Sequence, residues 1–168
     1  MDDTTAPVML PFPFVFFGCA DTDAWVSSNG ILGLGSTASN EYNNLCATDP
    51  GALRGTILVF WDDLQPRGGV CVATTGRVGS RAFVVQWQDM YFYQNDVTAH
   101  LDFEVVLHEG TSAIDMIYRE MSDGREPGRA SGLQATIGLV DQSGASPVQY
   151  SCNASVIHAP QAIRFTPR

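Results

Sequence analysis

Residues 24–35 read AWVSSNGILGLG. Two short apolar runs flank Asn29-Gly30, a dipeptide that readily turns one antiparallel strand into the next. The reading is strand, turn, strand. Working outward, residues 11–18, PFPFVFFG, follow Leu10 and alternate with period two. Leu10, Phe12, Phe14 and Phe16 fall on one face. Pro11 and Pro13 have no N–H to give a ladder, so this is an edge strand. On the other side, residues 36–55 form a long polar loop that holds Cys46. Residues 56–64, TILVFWDDL, then read as a continuous apolar strand buried on both faces.

The remaining runs are of the same kind. GGVCVATTG and RAFVVQWQDMYFY are strands separated by a turn around Gly76–Ser80. TAHLDFEVVLHEG and AIDMIYREM form a hairpin around Glu109-Gly110-Thr111. A hydrophilic insert, SDGREPGRASG, precedes LQATIGLVD, VQYSCN and AIRFTP. No long segment has helical periodicity. About ten short strands at spacings of roughly 8–12 residues predict an all-β, antiparallel β-sandwich. With 168 residues, no internal repeat and no interior linker, the chain reads as one domain over 1–168, its core spanning about 10–167.

Composition excludes several function classes. The net charge is −9 and all nine basic residues are arginine. A nucleic-acid binder or a ligand of anionic membranes needs a basic footprint, and no basic run exists. No stretch reaches the ~18 apolar residues of a membrane span. The four cysteines, Cys19, Cys46, Cys71 and Cys152, are scattered without Cys-x-x-Cys or zinc-like spacing. Their even number predicts two disulfides and an oxidising compartment, the alternative being four reduced core cysteines. The first ten residues lack the basic and apolar regions of a signal peptide. An exported form would therefore be a mature or excised chain with an added Met1, or part of a longer polypeptide.

Three readings of Asp62-Asp63 stand open: a structural corner, a cation site and an acid/base pair. Successive strand side chains point to opposite faces, so the two carboxylates share a site only if the strand ends at Trp61. Pro66, Gly68 and Gly69 downstream would supply such a turn. Asp21 and Asp23, in DTDAW, have the Asp-x-Asp spacing of a calcium loop, without an EF-hand pattern around them. No cofactor is called for, and calcium is the one ion this acidic set would suit. His100, Asp102, Glu104 and His108 alternate along one strand at about 6.5–7 Å per pair, too far apart to converge on a metal, and read as a solvated face. No nucleophile elbow and no phosphate loop is present. Asn153-Ala154-Ser155 is an N-glycosylation sequon.

The order of motifs LPFPFVFFG, WVSSNGILGLGS, TILVFWDDL, FVVQWQDM, DFEVVLHEGTSAIDMIY, ATIGLVDQSG, QYSCN and AIRFTP resembles the nidogen-type extracellular domain. It is closer still to the related bacterial β-sandwich modules of secreted and surface proteins. The resemblance runs from about Leu10 to Pro167. It implies an extracellular module that is not an enzyme, and a disulfide joining Cys46 to Cys152, which leaves Cys19 to Cys71. It carries over no ligand-binding residues.

The expected function is a non-catalytic adhesion or interaction module at the cell surface, with a protein or glycan partner. Contact residues are sought at Tyr42, Asn43 and Asn44 in the long loop, and at Tyr91, Phe92 and Tyr93, of which at least one must face outward. A second expectation is a structural subunit of a fibre or matrix that self-assembles through sheet edges. A third is a carbohydrate-binding or accessory domain of a hydrolase. Hydrolysis would need two carboxylates about 5–10 Å apart across a groove with exposed aromatics.

Overall fold

A computed structural model describes residues 3–49, 51–94 and 96–167; Met1 lies outside them. Eleven strands and no helix are found among these residues: β1 (Thr5–Phe16), β2 (Cys19–Ser27), β3 (Ile31–Leu34), β4 (Thr56–Trp61), β5 (Leu64–Thr75), β6 (Ala82–Phe92), β7 (Asp96–His108), β8 (Ile114–Ser122), β9 (Thr136–Val140), β10 (Val148–Cys152) and β11 (Gln161–Phe165). They make two antiparallel sheets, ordered β1-β2-β3-β4-β9-β10 and β11-β8-β7-β6-β5. The all-β sandwich expected from the period-two runs is therefore what forms.

The proline-rich strand is an edge. β1 pairs only with β2, and its register breaks between Met9 and Phe14, so Pro11 and Pro13 sit where the ladder is interrupted. Leu10, Phe12, Phe14 and Phe16 all point into the core. The turn joining β2 and β3 is three residues long, Ser28 to Gly30. Gly30 takes φ +73°, and a Cβ there would lie 2.1 Å from the carbonyl oxygen of Phe60. Only glycine allows that approach.

Gly30 also explains how β4 buries both faces. Its carbonyl accepts from the N–H of Val59 and of Phe60, at 3.0 and 3.3 Å. Two donors on one acceptor make a bulge, which shifts the in–out alternation by one residue. Ile57, Val59 and Phe60 face the main core, and Leu58 and Trp61 face the other side. There they meet Ile31, Val140, Ala47, Ala52 and Leu53. The loop after β3, polar in composition, is thus a cover over the outer face of the six-stranded sheet.

Between the sheets, Trp87 stacks on Phe103 at 5.2 Å, and Phe103 neighbours Phe60 and Tyr118. Two hydrogen bonds cross the core: Tyr118 Oη donates to the carbonyl of Val59 at 2.6 Å, and Trp87 Nε1 to that of Ser27 at 2.8 Å. They place β8 opposite β4 and β6 opposite the end of β2. Burial moves the Tyr118 hydroxyl well above its usual pKa, so it remains a donor.

The bridge Cys46–Cys152 is present and ties the covering loop to β10. The pairing of Cys19 with Cys71 does not form. Cys19 opens β2 in one sheet and Cys71 lies on β5 in the other, and both thiols are free and exposed. Two side chains that point to solvent from different sheets have no shared space in which to bond.

Candidate functional site

Asp62 and Asp63 are the corner where the chain leaves the six-stranded sheet and enters the five-stranded one. β4 ends at Trp61 and β5 begins at Leu64. The turn is made by the two aspartates themselves. Pro66, Gly68 and Gly69, expected to make it, lie inside β5 at a break of register with β6.

Asp62 is buried, and its carboxylate is fully engaged. Arg129 donates from Nε to Oδ2 at 3.1 Å and from Nη2 to Oδ1 at 2.9 Å, and the Asp63 N–H reaches Oδ1 at 2.7 Å. The Arg129 guanidinium lies over the Phe92 ring, 4.3 Å from its centre. Burial pushes the Asp62 carboxyl above its usual pKa, while the guanidinium and the Asp63 N–H pull it back. Asn29 completes the corner. Its Oδ1 accepts from the Leu64 N–H at 3.0 Å, and its Nδ2 donates to Asp3 and to the carbonyls of Asn40 and Glu41. Trp61 Nε1 also donates to the Glu41 carbonyl, at 2.9 Å.

This geometry makes Asp62 a structural corner, the first of the three readings. Both Asp62 oxygens are already neutralised by a bidentate guanidinium, whose positive charge repels a hard cation. Asp21 and Asp23 lie on β2, at the opposite end of that strand from the corner, so the four aspartates do not converge. Among the described residues no group of three or more His, Cys, Asp or Glu side chains is placed to hold a metal ion.

The contact residues divide. Tyr42 and Asn43 are exposed, and their N–H groups donate to Oε1 of Glu41. Asn44 is structural: it donates to Thr136 Oγ1 at 2.9 Å and to Asn153 Oδ1 at 2.8 Å. Asn153, the sequon residue, thus braces the covering loop. In the second trio the period of a strand separates the rings. Phe92 points inward and is fully buried under Arg129, which removes it as a contact residue. Tyr91 is half-buried beneath Arg67, 5.2 Å from ring centre to guanidinium, and Tyr93 is exposed.

The polar row on β7 is tied to its neighbours by hydrogen bonds and ion pairs: Asp102 accepts the Asp89 N–H, and Glu104 is buried rather than solvated. Arg67, Asp89 and His100 meet within 2.7–3.0 Å, Glu104 pairs with Arg119, and Asp115 takes both His108 and a bidentate Arg164. At the end of the sandwich away from the corner, an apolar groove of about 750 Å³ is lined by Val15, Phe16, Phe17, Leu139, Val148 and Phe165, among others. No Asp or Glu lines it, so it lacks the carboxylate pair that glycoside hydrolysis requires.

A family model described as NIDO related matches residues 1–167. The chain belongs to the NIDO-related family. No curated protein and no solved structure matches it. For this NIDO-related chain, the sandwich and the Cys46–Cys152 bridge agree with what the motif order implied, and both are compatible with an extracellular location. No helix among the described residues is long and apolar enough to cross a membrane. Sequence reasoning missed Arg129 and Asn29. Asn29 had a signal, its place before Gly30 in the turn; Arg129, in a polar insert far along the chain from Asp62, had none.

Proposed function

We propose that this NIDO-related chain is a non-catalytic interaction module of a secreted or cell-surface protein, and that it meets its protein partner at the corner end of the sandwich. The observation that carries the reading is the placement of two exposed aromatic side chains. Tyr42 follows Glu41, whose carbonyl is pinned by Trp61 and Asn29. Tyr93 donates its N–H to the carbonyl of Asp63 at 3.0 Å. Segments distant in sequence thus present two tyrosines beside one ion-paired corner. Exposed aromatics on a rigid support are typical interface anchors, since little conformational entropy is lost when they dock. The buried acid of the corner, Asp62, is held by Arg129, and Glu41 accepts from the N–H groups of Tyr42 and Asn43, which supports binding over turnover.

The test is surface-plasmon binding of the oxidised chain to a panel of extracellular-matrix and cell-surface proteins, with a glycan array alongside. Saturable binding to a protein is expected, weakened at least tenfold by Tyr42→Ala or Tyr93→Ala with unchanged melting. Turnover of a glycosidic, ester or peptide substrate, lost on mutation of a carboxylate, would overturn the reading. So would glycan binding unaffected by both tyrosine variants.

A second reading, a structural subunit of a surface assembly, is favoured by one specific feature: a long open edge on the five-stranded sheet.

A further inference from the structure

The two sheets have four edges, β1, β10, β5 and β11. Three are protected. β1 carries Pro7, Pro11 and Pro13 and a broken register; β10 and β11 are five residues each, and β11 carries Arg164. β5 is twelve residues long and pairs only with β6. Its own proline, arginine and register break fall between Pro66 and Gly69; beyond them, from Val70 to Thr75, it reads VCVATT, without a charge or a proline. Residues 71–80 are all exposed, Val72 at 49%. An open, uncharged, β-branched edge is a template for another strand.

The hydrogen-bond phase of this edge follows from β6. The Glu109 N–H donates to the Arg81 carbonyl at 2.8 Å, directly beyond the Ala82–His108 pair. Bonded and non-bonded pairs alternate in an antiparallel ladder. Arg81 and every second residue after it therefore bond toward β7, and Ala82, Val84 and Gln86 bond toward β5. Cys71 stands opposite Gln86, with unbroken register from Gly69 to Thr75. Its N–H and C=O are spent on β6, whereas those of Val70, Val72 and Thr74 point to the open side.

We infer that β5 joins two copies of this chain, antiparallel about a two-fold axis at Cys71, with a disulfide between the two Cys71 residues. In that register Val70 faces Val72 of the second copy in a hydrogen-bonded pair, twice over, and the valines pack on one face. Cys71 meets its own counterpart in a non-hydrogen-bonded pair. Cα atoms there are about 4.5 Å apart, within the ~4.4–6.8 Å span of disulfides. The free, exposed Cys71 thiol is thus at the one position of the edge that is both self-opposed and able to bridge. A second copy is the occupant because the seam is its own complement. Chains of net charge −9 repel elsewhere, and no like charges meet between Gly69 and Ala73.

Two Cys71 thiols form the bond by exchange with a disulfide oxidant. The oxidant is reduced to two thiols and takes up the two protons and two electrons released. For that oxidant the inference rests on the extracellular reading. The ladder itself is short, so the covalent bond is what holds the dimer.

The experiment is oxidation of the purified full chain with glutathione disulfide, read by non-reducing gel, sedimentation and peptide mapping. A covalent dimer of two 18.2 kDa chains linked Cys71 to Cys71 is expected. Cys71→Ser should abolish it and Cys19→Ser should not. Val72→Lys, which sets a charge in the seam, should cut the yield about tenfold with unchanged melting. A dimer linked through Cys19, a yield indifferent to Val72→Lys, or glutathione capping of Cys71 with no dimer at millimolar chain would overturn it. Reduced Cys46 and Cys152 in protein taken from the source cells would instead overturn the extracellular reading, with the purified-chain result left standing.

Discussion

At the scale of single residues, the chemistry of the molecule is concentrated in Asp62 and Arg129. Two adjacent acids after an apolar strand invite a reading as a metal or acid/base site. Burial of Asp62 favours a structural role, because an ionised carboxylate in the interior needs a partner of opposite charge and hydrogen-bond donors. Arg129 supplies both, and the Phe92 ring beneath it adds a cation–π contact. Breaking a buried pair by removing one member typically costs about 3–5 kcal/mol. Arg129→Ala is therefore expected to lower the unfolding free energy from urea titration by that much, and Asp62→Ala by a similar amount. Replacing both by apolar residues of like volume, Asp62→Leu with Arg129→Met, should recover most of the loss. Millimolar calcium should leave the melting temperature of the unaltered chain unchanged. A calcium-dependent rise that vanishes in Asp62→Asn would show that the carboxylate is a ligand after all.

At the scale of elements, what was legible in the sequence was what is local. The alternation Leu10, Phe12, Phe14, Phe16 and the Asn29-Gly30 turn each report on a few neighbouring residues, and both appear as read. The bulge in β4 was hidden, since an apolar run has no polar residue to mark a slipped phase. The covering loop was hidden too, because Ala47, Ala52 and Leu53 are outnumbered by polar neighbours in residues 36–55. At the site, Tyr42 was legible as a loop aromatic, whereas residues 91–93 were legible only as a run with at least one outward ring, which proves to include Tyr93. The Asp62–Arg129 contact was not, for its members lie 67 positions apart. The loop depends on the Cys46–Cys152 bridge, whose ends are 106 residues apart. Closing so long a loop in the unfolded chain corresponds to a contribution of about 2–5 kcal/mol. Reduction is expected to lower the urea midpoint accordingly and to expose Trp61, seen as a red shift of its fluorescence before global unfolding. Alkylation without reductant should label Cys19 and Cys71 alone. Labelling of all four without reductant would mean that the bridge does not form.

At the scale of the whole molecule, the acids determine how stability depends on pH. Glu109 is held at a pKa of about 2 by its Arg81 partner and by the N–H groups of Arg81 and Gly79. Asp115 is lowered first by Arg164, Asp96 first by the Thr98 hydroxyl, and Asp141 first by the Ser143 hydroxyl. A carboxyl lowered in the fold binds fewer protons there than in the unfolded chain. Its stabilisation is present above the unfolded pKa, near 4, and is lost as pH falls through the folded one. Asp62 has the opposite sign: its raised pKa favours the fold at low pH and loses that contribution as pH rises. Four groups oppose one. Acidification from neutrality first relieves the repulsion of a −9 chain, up to its isoelectric point near 4.5. Stability is therefore expected to peak between about pH 4.5 and 6 and to fall steeply toward pH 2 as the lowered carboxyls take up protons. Melting scans across pH 2–8 check this. Arg81→Gln removes the first cause of the Glu109 shift and should flatten the fall between pH 4 and 2. Stability that keeps rising below pH 4 would mean that the raised Asp62, not the four lowered carboxyls, dominates the pH dependence of the folded state.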